Sequence, residues 1–169
     1  MQTDEIDNLL EQWRRERPDL DPTAMALVAR LLRVARRVGR AVEAGLEAQS
    51  LQTGWFDVLS ALRRSGEPYR LSPGHLAAAL MLSTGGMTKR LDGMERGGLI
   101  KRTRDPRDRR ALKIGLTGRG RALIDTAVAE HIENEERLLS GLGRRERAEL
   151  ERLLRKLDAS LPLRSAPPG

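Results

Sequence analysis

Leu99-Ile100-Lys101-Arg102-Thr103-Arg104-Asp105-Pro106-Arg107-Asp108-Arg109-Arg110-Ala111-Leu112-Lys113-Ile114-Gly115-Leu116-Thr117 is the stretch on which the fold turns. Residues 99–104 and 111–116 are short runs that mix apolar and basic side chains, and the loop between them holds a proline among charged residues. That pattern predicts a β-hairpin. Just upstream, Gly97-Gly98 ends a helical pattern in which Met87, Leu91 and Met94 face inward. Leu82-Ser83-Thr84-Gly85-Gly86 reads as a turn before it. Ser72-Pro73 signals the start of a preceding helix, with Leu76, Ala77 and Leu80 on its apolar face. Tyr69-Arg70-Leu71 is a short strand candidate. A capped helix, a tight turn, a second helix and a charged hairpin together describe a winged helix-turn-helix.

The charge distribution agrees. The 169 residues carry a net charge of +7, and residues 87–121 alone carry +8, leaving −1 for the rest. The basicity is a local patch on a balanced protein, which is the footprint of a nucleic-acid-binding face. Only 2% of the chain is aromatic and none of it lies in the patch, which argues against stacking on single strands.

Outward from this lobe the sequence is helical. Ile6, Leu9, Leu10 and Trp13 fall on one face of a first helix, over about 4–17. Asp21 is the expected N-cap of a long second helix over 22–48, with Pro22 in its first turn. Met25, Leu32, Gly39 and Leu46 recur every seven residues, and Val28, Ala35 and Val42 form a parallel row. Two such rows suit packing on another helix, and a helix this long suits a partner subunit. Thr53 is the expected cap of a third helix, which Gly66 and Pro68 end. Thr117 caps another long helix, and Leu150, Leu153, Leu154 and Leu157 mark the last one. The expected organisation is mainly α (α+β). N-terminal helices occupy 1–49, a DNA-binding lobe 50–117, C-terminal dimerisation helices 118–160, and a disordered tail 161–169.

Composition narrows the function further. There is no cysteine, so disulfides, thiolate metal sites and thiol catalysis are excluded. The N-terminus lacks the basic and apolar regions of a signal peptide, and no run reaches a membrane-spanning length, so a cytoplasmic protein is expected. His75 and His131 stand far apart in no metal-binding spacing, so no metal and no cofactor are expected. Nucleophile-elbow and phosphate-loop motifs are absent, so an enzyme is not expected.

The helix after the turn fits the major groove by its N-terminal residues. Ser83, Thr84, Gly85 and Gly86 form that first turn, with Thr88 and Lys89 outward. Arg107, Arg109 and Arg110 lie on the hairpin loop, where an arginine can enter a minor groove. At these residues the chain resembles the MarR-type transcriptional regulators, whose wing pattern Asp-x-Arg-Asp-x-Arg is met at 105–110. The resemblance covers about 53–124 strongly. It implies that Asp108 holds Arg110, that Arg110 reaches the minor groove, and that a homodimer binds a pseudo-palindromic double-stranded operator.

The N-terminal addition resembles that of a urate-responsive subfamily, through Glu11 to Asp21, Phe56-Asp57-Val58-Leu59 and Arg63-Arg64. That resemblance implies a small anionic ligand bound by Trp13, Asp57, Arg64 and Arg90, with an Asp57–Arg90 pair tying sensor to DNA reader. The chemistry suits a flat purine anion: an indole face, a planar guanidinium fork and a carboxylate that an anion would repel. Taken singly, Trp13 reads as core of its helix and an Asp–Arg pair as a surface ion pair. The same residues accommodate xanthine or another aromatic acid, and the basic patch alone also fits an architectural DNA binder without an effector.

Overall fold

The structure is a computed structural model and describes residues 4–81, 84–104, 108 and 111–161. Its elements run α1 (Glu5–Glu16), α2 (Thr23–Glu47), α3 (Thr53–Arg64), β1 (Arg70–Leu71), α4 (Pro73–Ala79), α5 (Thr84–Arg96), β2 (Ile100–Arg104), β3 (Leu112–Leu116), α6 (Gly118–Leu138) and α7 (Arg144–Ser160). The three strands form one antiparallel sheet in the order β1-β3-β2, with Arg70 opposite Gly115 and Arg104 opposite Leu112. This is the mainly helical winged helix-turn-helix that the sequence predicts.

Several boundaries follow the expected chemistry. The Ser72 hydroxyl accepts from the His75 N–H at 3.2 Å and caps α4. The Thr117 hydroxyl accepts from the Gly120 N–H at 3.0 Å and caps α6. Gly98 takes φ +68 directly after α5, a left-handed conformation that a residue without Cβ adopts freely.

Others differ. Thr53 is the first helical residue of α3, and the extended Gln52 is its N-cap. Pro22 is the N-cap of α2, while the Asp21 carboxylate one residue earlier accepts from the Thr23 N–H at 3.0 Å. Of the expected turn 82–86, residues from Thr84 onward already belong to α5, because glycines at a helix start do not stop it.

The core of the lobe is built where α3, α4, α5, β3 and α6 meet. Val58, Leu59, Leu62, Leu76, Met94, Ile114 and Ile124 are fully excluded from solvent, each contributing about 2 kcal/mol by burial. α2 enters this core through Leu46 and lies against α6, where the Asn134 amide donates to the Ala41 carbonyl at 3.2 Å. α1 is separate. It packs on α2 through a small apolar cluster of Ile6, Leu10 and Ala26, with Ala29 against it. Leu9 and Trp13, expected on the same apolar face, are 41% and 43% exposed.

The remaining apolar surface is concentrated on two helices. α2 exposes Leu27, Val28, Leu31, Leu32, Val34 and Val38, and α7 buries none of its residues. Leu27 and Leu31 face Leu150, Leu153, Leu154 and Leu157 across a groove of about 410 Å³.

Candidate nucleic-acid interface and ligand site

α5 presents two faces because its sequence alternates in helical register. Met87, Leu91 and Met94 are buried, while Gly85, Gly86, Thr88 and Lys89 are exposed along the N-terminal half. This is the disposition a groove-reading helix needs, with small and polar side chains toward the duplex. Thr84 opens the helix. Ser83 lies outside the described residues, as do Arg107, Arg109 and Arg110 of the wing. Asp108 is described and exposed, and its carbonyl accepts from the Ala111 N–H at 2.9 Å.

A link that the sequence reading missed joins the wing to α5. Arg102 on β2 donates to Asp92 at 2.6 Å and to Glu95 at 2.8 Å, and its backbone N–H donates to Glu95 at 3.0 Å. The wing strand and the recognition helix are therefore clamped as one unit. The spacing of 10 and 7 residues gives no local periodic signal, so only the hairpin's return brings these charges together.

The four expected ligand residues occupy three places. Asp57 and Arg64 lie on α3 and Arg90 on α5. The Arg90 guanidinium donates to the Gly54 carbonyl at 3.2 Å. The expected Asp57–Arg90 ion pair is absent among the described salt bridges; Arg90 reaches α3 through a backbone carbonyl instead. Burial raises the Asp57 carboxyl above its ordinary value, against the opposing pull of Arg90, Arg64 and His131. Arg64 donates to its own helix at the Ser60 carbonyl, 3.3 Å, and lines a cleft of about 240 Å³ with Ser60, Arg63, Asp125 and Val128. Trp13 lines a different cleft with Arg17, Leu20, Asp21, Pro22 and Met25. Within one chain the structure thus groups Asp57 electrostatically with Arg64 and Arg90 and leaves Trp13 elsewhere.

The neighbouring surface is highly charged. Arg63 donates to Asp125 at 2.6 Å, and the Arg63 and Arg121 guanidinium groups lie 5.0 and 4.8 Å from the Tyr69 ring centroid. His131 packs on Phe56 with ring centroids 4.6 Å apart. His75 is exposed beside its capping serine. No group of three or more His, Asp or Glu among the described residues could hold a metal ion. No described helix is long and apolar enough to cross a membrane.

A helix-turn-helix with an exposed recognition face, clamped to a basic wing, defines a winged-helix DNA-binding regulator. The comparisons give the particular family. A model described as MarR family matches residues 49–111. The HTH-type transcriptional regulator PecS of Dickeya dadantii (strain 3937) is 39% identical over 157 residues, covering 93% of this chain and 95% of that protein. The chain belongs to the MarR family and is a DNA-binding transcriptional regulator, not an enzyme. The crystal structure of AbsC, a MarR family regulator from Streptomyces coelicolor, shares the fold with a TM-score of 0.73 at 24% identity, over 83% of this chain and 95% of that one. BpsR of Bordetella bronchiseptica, described for the regulation of its DNA binding by 6-hydroxynicotinic acid, superposes with a TM-score of 0.65 at 26% identity, over 78% and 91%.

Proposed function

We propose that the protein is a homodimeric repressor that holds a pseudo-palindromic operator and is released by a small anionic aromatic ligand such as urate. The observation that carries this reading is Asp57. It is a half-buried carboxylate held above its ordinary value, and Arg64 on α3 and Arg90 on the recognition helix both lower it. An anion arriving at Arg64 removes positive field from Asp57, and the change is felt at Arg90 and so at α5. Wing and helix move together, because Arg102 joins them.

Trp13 supplies the aromatic face in this reading. α1 lies on α2 outside the main core, held by a small apolar cluster and by ion pairs of Asp4 and Asp7, so it is the element that would carry this face to the ligand. The effect of an aromatic acid on BpsR, a protein of the same fold, supports the ligand class. The exposed leucines of α2 and α7 support the dimer, because a monomer would leave a long apolar seam in water. Ser83, Thr84, Gly86, Thr88 and Lys89 read bases in the major groove, and Arg107, Arg109 and Arg110 enter the minor groove with Asp108 orienting Arg110. Release from an operator in a cytoplasmic setting would then derepress the genes behind it.

The test is a DNA-release titration on the protein bound to its own upstream region. Urate at millimolar concentration is expected to release wild type and to leave Arg64→Ala bound. An intact wild-type complex, or the same response from both proteins, removes the urate reading.

A further inference from the structure

α3 and α5 are joined by two reciprocal insertions. The Trp55 ring of α3 lies on a glycine shelf formed by Gly93 of α5 and by Gly97 just past its end. A Cβ on Gly93 would stand 3.2 Å from its Cζ2 atom, and one on Gly97 would stand 3.7 Å from its Cζ3 atom. In the opposite direction the Arg90 guanidinium of α5 lies on Gly54 of α3, in space that a Cβ there would occupy, and donates to the Gly54 carbonyl at 3.2 Å. An aromatic ring sits in a notch on one helix and a cation in a notch on the other. A cleft of about 340 Å³, lined by Gln52, Trp55, Gly86 and Lys89 among others, runs between the same two helices.

We infer that the two insertions, Trp55 on Gly93 and Arg90 on Gly54, are positioning contacts that together fix the pitch of the recognition helix and hence which operator sequence it reads. Gly85, Gly86, Thr88 and Lys89, in the base-reading half of α5, are exposed. Its pitch is set from behind, by the core contacts of Met87, Leu91 and Met94 and by the Trp55 shelf. Gly86 lies seven residues from Gly93, about 10 Å along the axis, so a tilt of about 5° moves it by about 0.9 Å. A hydrogen bond to a base edge tolerates only a few tenths of an ångström. Phosphate contacts made by flexible lysine and arginine side chains tolerate far more. The lock therefore governs sequence discrimination and leaves sequence-independent affinity alone. The inference needs no ligand and stands apart from the urate reading.

The experiment measures affinity by fluorescence anisotropy, at fixed salt, for two duplexes of equal length. One is selected from a random pool by the wild-type protein and the other is of random sequence. A Cβ at 93 forces the ring or the helix to give by a few tenths of an ångström. Gly93→Ala is expected to lower the ratio of selected to random affinity roughly tenfold. The random-duplex affinity and its salt slope are expected to stay unchanged. Adding Trp55→Phe removes the Cζ2 atom that the new methyl meets and is expected to restore the ratio to within about threefold of wild type. The inference is overturned if the ratio stays at its wild-type value in Gly93→Ala, if both affinities fall together, or if Trp55→Phe restores nothing. Should Gly93→Ala fail to fold, Gly54→Ala decides. It displaces only the flexible end of Arg90, the same loss of ratio is expected, and an unchanged ratio overturns the inference.

Discussion

The Leu99 carbonyl oxygen fills the space in which a Cβ on Gly120 would stand. The first turn of α6 is thereby seated against the entry to β2, and the same carbonyl accepts from the Thr117 N–H at 3.1 Å. The obstacle is backbone rather than a movable side chain. Gly120→Ala is expected to destabilise the fold by about 3 kcal/mol, in the range of overpacked cores. The midpoint of urea unfolding at fixed protein concentration measures it.

α1 is held to α2 by charge as well as by its small core. Asp4 accepts from Arg33 at 2.5 Å, and Arg30 pairs with both Asp4 and Asp7. The hydrogen bond from Arg33 is the chief reason that the Asp4 carboxyl is lowered to about 2, with the capping N–H groups of Asp7 and Ile6 adding to it. A carboxyl lowered by docking contributes its stabilisation above its free value of 3.8 and loses it as pH falls toward 2. α1 is therefore expected to loosen between about pH 4 and pH 2. Trp13 emission in a Trp55→Phe background reports the step, and Asp4→Asn is expected to remove it.

Asp57 has the opposite sign. Its carboxyl is raised in the folded state, chiefly by burial, so folding favours the protonated form. That preference is fully expressed below the unfolded value and is lost as pH rises through the raised one. Asp57→Asn, which mimics the neutral form, is expected to melt higher than wild type at pH 7, with the gap closing below about pH 4. Equal melting temperatures across that range would show that burial leaves Asp57 without cost.

The leucine groove between α2 and α7 predicts an assembly. Leu154 is 43% exposed in the single chain and lines the groove with Leu27 and Leu31. Leu154→Glu is expected to give a monomer by sedimentation. It is also expected to weaken selected-duplex binding by at least tenfold, since two half-sites are no longer read together. A dimer that persists in this variant would place the interface elsewhere.

Much of the fold was legible because its signals are local. Ser72-Pro73 and Thr117 mark helix starts by chemistry that acts within three residues, and Met87, Leu91 and Met94 mark a buried face by spacing alone. The hairpin was legible from Asp105-Pro106 between two runs. Contacts that join distant residues were not. Arg33 meets Asp4 across 29 positions and Arg90 meets Gly54 across 36, and no periodicity announces either. Trp13 shows another limit. Helical spacing says that it shares a face with Ile6 and Leu10, but that face is broader than the contact α2 offers, so Trp13 stays half in water. The family resemblance coupled Asp57 to Arg90 as an ion pair, yet the guanidinium donates to the Gly54 carbonyl, at a position whose missing Cβ leaves it room.

If ligand and DNA compete through one protein conformation, thermodynamic linkage couples their affinities. Calorimetry gives the affinity for urate with and without saturating operator duplex, and anisotropy gives the affinity for that duplex with and without saturating urate. Both ratios are expected to be equal and to exceed about fivefold, as reciprocal coupling requires. Urate that binds free and DNA-bound protein with the same affinity would contradict it.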